Sequence, residues 1–152
     1  MWKIEKGVSE LEIHVLDGSL LGGLLVYCTV WDLRKKEIPL YPVLVVGVFL
    51  LGIKAIEGEF AVVTTALGAL LGIGLLGISK ITKGGMGIGD AILFVVIGIS
   101  VGFFPAISIL FYSLLLAAVV SIILLVCRKV TRKQTIPFIP FILAGYMGVW
   151  LL

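Results

Sequence analysis

Charge is scarce in this sequence. Of 152 residues, 14% are charged and 61% hydrophobic, and the mean hydropathy is +1.24. A soluble domain has about a quarter of its residues charged, so a water-soluble fold is excluded. No polar stretch is long enough to build a core of its own. Histidine occurs once, as His14, and there is no His-Glu-x-x-His helix, which excludes an intramembrane metalloprotease. Neither a Gly-x-Ser-x-Gly elbow nor a Ser/His pairing on one side of a membrane exists, which excludes a serine hydrolase. The two cysteines, Cys28 and Cys127, form no Cys-x-x-Cys pair. That excludes a structural zinc site and argues against a disulfide framework. Both read as small buried hydrophobes. No metal and no cofactor is implied. Aspartate is rare as well, with only Asp17, Asp32 and Asp90.

The chain is otherwise a series of apolar runs broken by short polar ones. Residues 1–18 are polar and mixed in charge, without the pattern of a cleaved signal peptide. The expected fold is an all-α integral membrane protein, one membrane-embedded domain over 1–152. Its spans fall at about 13–31, 38–56, 60–79, 91–103, 106–127 and 136–152. The second span would be ~28 Å long, close to the ~30 Å hydrocarbon core. From Ala91 to Cys127 there are 37 residues without a charge. One helix of that length would be ~55 Å, nearly twice the core. The chain must therefore turn, and Gly102-Phe103-Phe104-Pro105 is the place.

Lysine and arginine set the orientation. With the amino terminus outside, the inner loops hold Arg34, Lys35, Lys36, Lys80, Lys83, Arg128, Lys129, Arg132 and Lys133, and the outer parts hold Lys3, Lys6 and Lys54. The net charge of +3 is thus a topology signal and not a nucleic-acid footprint. His14 reads as an outer interfacial residue. The acidic Glu57-Gly58-Glu59 turn also falls outside.

Two aspartates stand out. Lys83-Gly-Gly-Met-Gly-Ile-Gly-Asp90 carries four glycines, Gly84, Gly85, Gly87 and Gly89, just before an apolar run. Such a loop can turn sharply and be approached closely. Irregular backbone at membrane depth is tolerated where protein or a water-filled cavity covers it. An aspartate capping the next helix is the plainer reading of this stretch alone. Asp32 changes that. It ends the first span on the inner side, and two crossings later Asp90 opens the fourth span on the same side. The two carboxyl groups can therefore meet, whereas Asp17 lies on the opposite face. Facing carboxyls in a low-dielectric site cannot both ionise easily and share one proton. That is an acid/base pair for peptide hydrolysis. By the chain's own helix ends, Asp90 is at a helix amino terminus, where an anion is favoured, and Asp32 at a carboxyl terminus, where it is not. Asp90 is then the expected base and Asp32 the holder of the proton.

At these residues the sequence resembles the type IV prepilin peptidases, the bacterial members of the Gly-x-Gly-Asp aspartic membrane proteases. Three blocks carry the resemblance: Asp32-Leu-Arg-Lys-Lys-Glu-Ile-Pro39, Lys83-Gly-Gly-Met-Gly-Ile-Gly-Asp90 and Ile136-Pro-Phe-Ile-Pro-Phe141. The resemblance implies that Asp32 and Asp90 are catalytic. It also implies that a prepilin-like or preflagellin-like protein is cut after a glycine, at the cytosolic face of the cell membrane. Many relatives have a lysine two places after the second aspartate, where this chain has Ile92. Bifunctional relatives carry a methylating domain with paired Cys-x-x-Cys motifs, so the expectation here is a peptidase-only form. Two other readings compete. One is a small proton- or cation-coupled transporter subunit using both aspartates, and the other a non-catalytic component of a secretion apparatus.

Overall fold

A computed structural model describes residues 2–35, 38–57, 59–82, 87–127 and 137–151, with side chains over 15–35, 38–55, 62–82, 87–127 and 137–150. It is all-helical over this range. The helices are α1 (Trp2–Lys35), α2 (Leu40–Glu57), α3 (Glu59–Ile81), α4 (Ile88–Val101), α5 (Phe103–Val126) and α6 (Ile139–Leu151). Three of them hold stretches long and apolar enough to cross a membrane: Val15–Lys35, Val62–Ile81 and Phe103–Val126. Three shorter apolar helices cover Leu40–Ala55, Ile88–Val101 and Ile139–Trp150. Large apolar side chains cover the outside, among them Val48, Phe49, Leu70, Phe111 and Ile122. That is the surface of a membrane protein, since a soluble monomer rarely exposes so large an apolar patch.

Helix α4 is the centre. Ala91, Leu93, Phe94, Val96, Ile97, Gly98, Ile99 and Ser100 are all buried on it, and it packs against α1, α2, α3 and α5. A helix that is apolar all round belongs in a core. Its tightest neighbour is α3. A Cβ added at Gly68 would overlap the carbonyl of Gly98, and one at Gly98 would overlap the backbone of Gly68. The two crossing segments read Gly68-Ala-Leu-Leu-Gly72 and Gly98-Ile-Ser-Val-Gly102. Small residues four apart let helix backbones touch, which is how helices associate in lipid. The Thr65 hydroxyl donates to the carbonyl of Ile99 across the same crossing, at 3.4 Å.

The long uncharged run turns at a single residue. Gly102 has φ +78°, and its N–H donates to the carbonyl of Gly98 at 3.0 Å, closing α4. Phe103, Phe104 and Pro105 already belong to the first turn of α5, where proline is tolerated because no intrahelical donor is lost. Helix α1 differs from the expected first span at both ends. It begins at Trp2 and continues through Asp32 to Lys35. Asp32 is thus helical, in the last turn. Of the two cysteines, Cys28 is buried in the core, but Cys127 is exposed at the end of α5. The expected burial of Cys127 fails because α5 ends there, and no described helix covers it.

Candidate active site

The last turn of α1, the first turns of α4 and α6 and the segment before α2 meet at one end of the bundle. Asp32 and Asp90 are both there. Asp32 is 7% exposed. Its Oδ2 accepts a hydrogen bond from the backbone N–H of Ile139, the first residue of α6, at 3.3 Å. The first N–H groups of a helix have no intrahelical acceptor, and Asp32 supplies one from 107 residues away. The local sequence leaves this donor free. Pro140 has no N–H, and the N–H groups of Phe141 and Ile142 both donate to the carbonyl of Phe138.

Asp90 is half-buried in the first turn of α4. It is not the cap of that helix. The N-cap is Gly87, which has no side chain to bond with. The Asp90 carboxyl turns back over Gly87, so that a Cβ there would lie 2.8 Å from Oδ2. Gly89 faces the other way. A Cβ on it would lie 2.8 Å from the Ile38 side chain, so glycine lets the segment before α2 close against the start of α4. The carboxyl groups of Asp32 and Asp90 are near enough to act on each other electrostatically. The Cys28 thiol, one turn before Asp32 on α1, also feels its charge.

Arg34 and Lys35 are exposed beside the pair, with the Lys35 ammonium 4.3 Å from the Trp31 ring centre. Lys36, Glu37, Lys83, Gly84, Gly85 and Met86 lie outside the described residues, as do the basic stretch 128–133, Ile136 and Gly58. So does the side chain of His14. Asp17 is far from the pair. Fifteen residues of helix separate it from Asp32, or ~22 Å. It is buried, and its Oδ2 lies 2.6 Å from the Nζ of Lys54 on α2. Among the described residues its Oδ1 has no hydrogen-bond donor. A cavity of about 380 Å³ next to it is lined by Ser100, Pro105, Ile109, Val149 and Trp150.

Sequence reasoning expected Asp32 and Asp90 at one end of the bundle, with Gly87 and Gly89 beside Asp90; Gly84 and Gly85 lie outside the described residues. It missed two features: the partner of Asp32 on α6, and the pairing of Asp17 with Lys54. The Ile136-Pro-Phe-Ile-Pro block did carry a signal for the first. A helix start flanked by prolines leaves a single early N–H unspent.

The sequence is similar to known proteins. The type IV leader peptidase family matches residues 19–122, more than half of the chain and inclusive of both aspartates. The prepilin leader peptidase/N-methyltransferase of Bacillus subtilis (strain 168) is 31% identical over 142 residues, covering 93% of this chain. The chain spans 57% of that relative's length. No solved structure matches. By the extent of the family match, this chain belongs to the type IV leader peptidase family.

Proposed function

We propose that the chain is an intramembrane aspartic endopeptidase that removes a short basic leader from type IV prepilin-like or preflagellin-like proteins. The observation that carries this is the pair of carboxyl groups. Asp32 and Asp90, from α1 and α4, act on each other at one end of the bundle, inside the part of the chain that matches the family. One carboxylate takes a proton from water as its oxygen attacks the peptide carbonyl. The other, protonated, donates to the carbonyl oxygen. Gly87 and Gly89 support the site by letting the Asp90 carboxyl and Ile38 pack close to the backbone, and Gly84 and Gly85 are proposed to support it as well.

In this reading all six helices span the cell membrane with the amino terminus outside, so the pair is at the cytosolic face. The excess of lysine and arginine in the inner loops supports that orientation. The substrate is a pilin-like protein whose apolar amino-terminal helix shares the bilayer and whose basic leader stays in the cytosol. Cys28 and Cys127 form no Cys-x-x-Cys pair, so these 152 residues are proposed to cleave without methylating.

The test is co-expression with a prepilin-like protein, with cleavage read as a mobility shift. Asp32→Asn and Asp90→Asn are each expected to abolish cleavage while the protein still accumulates in the membrane. Substantial cleavage by either variant removes that residue from the mechanism.

A further inference from the structure

We propose that the backbone N–H of Ile139 positions Asp32 and holds it as the carboxylate of the resting pair, so that Asp32 activates water and Asp90 carries the shared proton. This rests on the aspartic-peptidase reading above and deepens it. It reverses the order expected from the chain's own helix ends.

That expectation counted only α1, whose carboxyl terminus disfavours an anion at Asp32. The folded molecule adds α6. Its amino terminus meets Asp32 head-on, with the Ile139 N–H 3.3 Å from Oδ2 and both residues buried. A buried carboxylate that accepts a backbone N–H is stabilised in its charged form. Asp90 also lies in a first helical turn, that of α4. There, among the described residues, no hydrogen-bond donor is aimed at the carboxyl. The Ala91 N–H donates to the carbonyl of Gly87 at 3.3 Å, and the carboxyl leans back over Gly87. The direct donor outweighs the diffuse field of a helix end.

The described charged groups around Asp32 do not compete with this donor, and Lys80 in the last turn of α3 is exposed. On α4 the group that acts on Asp32 is Asp90. On α1 it is the Cys28 thiol, and Arg34 and Lys35 point to the outside. Helix α6 has no charged residue. On α2 the described charge is Lys54, at the far end with Asp17. The Tyr146 hydroxyl of α6 is also at the far end, donating to the carbonyl of Gly18 at 2.8 Å.

The steps balance. Asp32 takes one proton from water, and the hydroxide oxygen bonds to the carbonyl carbon while Asp90 protonates the carbonyl oxygen. The resulting diol collapses as Asp32 passes its proton to the leaving nitrogen and Asp90 recovers one from a diol hydroxyl. The C–N bond breaks, and both acids return to their starting states.

Proline at position 139 tests this, because it removes the N–H and is favoured at the first position of a helix. Ile139→Val keeps the donor and matches proline in carbon number. The measurement is the pH dependence of cleavage of a pilin-like protein co-reconstituted with the peptidase in lipid. For Ile139→Pro, kcat is expected to fall about ten-fold on the acid limb, and by much less at neutral pH, with KM little changed, since only the base is affected. Its acid limb should move up by about one pH unit, the equivalent of a ten-fold change in the ionisation constant. Ile139→Val should keep the wild-type profile. An unmoved profile in Ile139→Pro, or an equal displacement in Ile139→Val, overturns the proposal. Should Ile139→Pro fail to accumulate, infrared titration of carboxyl-labelled wild-type protein decides. Asp32 ionised and Asp90 protonated near neutral pH is expected, and the reverse overturns it. Cleavage by Asp32→Asn or Asp90→Asn, in contrast, defeats the peptidase reading itself.

Discussion

Asp17 and Asp32 stand on one helix and are held by different means. Asp32 accepts a backbone N–H, which carries no net charge. Asp17 faces the Lys54 ammonium, and the two side chains are 4% and 7% exposed. A buried ion pair of this kind is not by itself a source of stability, because both ions lose their water. Breaking it is another matter. Lys54→Met leaves Asp17, whose Oδ1 already has no donor, as an uncompensated buried carboxylate, and about 3–5 kcal/mol of destabilisation is expected. Replacing both, as Asp17→Leu with Lys54→Met, should recover most of that loss. Thermal unfolding in detergent measures it. Equal stability of the single and double variants would show that the pair is not desolvated as described.

Among the elements, the α3–α4 crossing decides where Asp90 stands. Helix α4 is short, and its position is set by Gly68, Gly72 and Gly98 letting it lie against α3. Overpacking a tight core costs about 1–3 kcal/mol even when the intruder is a methylene or two. Here the obstacle is backbone, which cannot rotate away. Gly98→Val is therefore expected to cut both thermal stability and cleavage severely, although it is more than two helical turns from Asp90. Gly74 provides the control. It is on α3 with open space around it, so Gly74→Ala should leave both nearly unchanged, or slightly improve stability through the better helix former. Equal effects at the two positions would reject the close crossing as the element that places the site. Gly102 works by conformation. Its positive φ turns an uncharged run into two helices without a loop.

The molecule is an apolar bundle, and its described charged side chains stand at two ends. At one end are Asp32, Asp90, Arg34, Lys35 and Lys80, and at the other Asp17 and Lys54. The distribution of lysine and arginine predicts which end faces the cytosol. Reporter fusions check this. A cytosol-active reporter inserted within the basic stretch 128–133 is expected to be active, and one placed at Gly58 inactive. An export-active reporter should show the opposite pattern. The opposite result at both sites would put Asp32 and Asp90 on the outer face and defeat cleavage of a cytosolic leader.

By itself the sequence determined the class and the succession of apolar helices, and it raised the expectation that Asp32 and Asp90 share a side. These are one-dimensional properties. The length of an apolar run compares directly with the thickness of a bilayer, and the parity of crossings decides which chain positions share a side. Asp32 could be placed beside Asp90 by counting alone. The tertiary structure decided what counting cannot reach: that α4 is the buried centre, that Lys54 neutralises Asp17, and that the amino terminus of α6 meets Asp32. The reason is physical. In a helix that is apolar all round, the face against protein and the face against lipid have the same composition, so periodicity does not say which neighbour it meets. Contacts such as Gly68 with Gly98, and Ile139 with Asp32, depend on how uniform cylinders settle against one another. That is fixed by the fit of small residues and by the few polar groups that must find partners within the bundle.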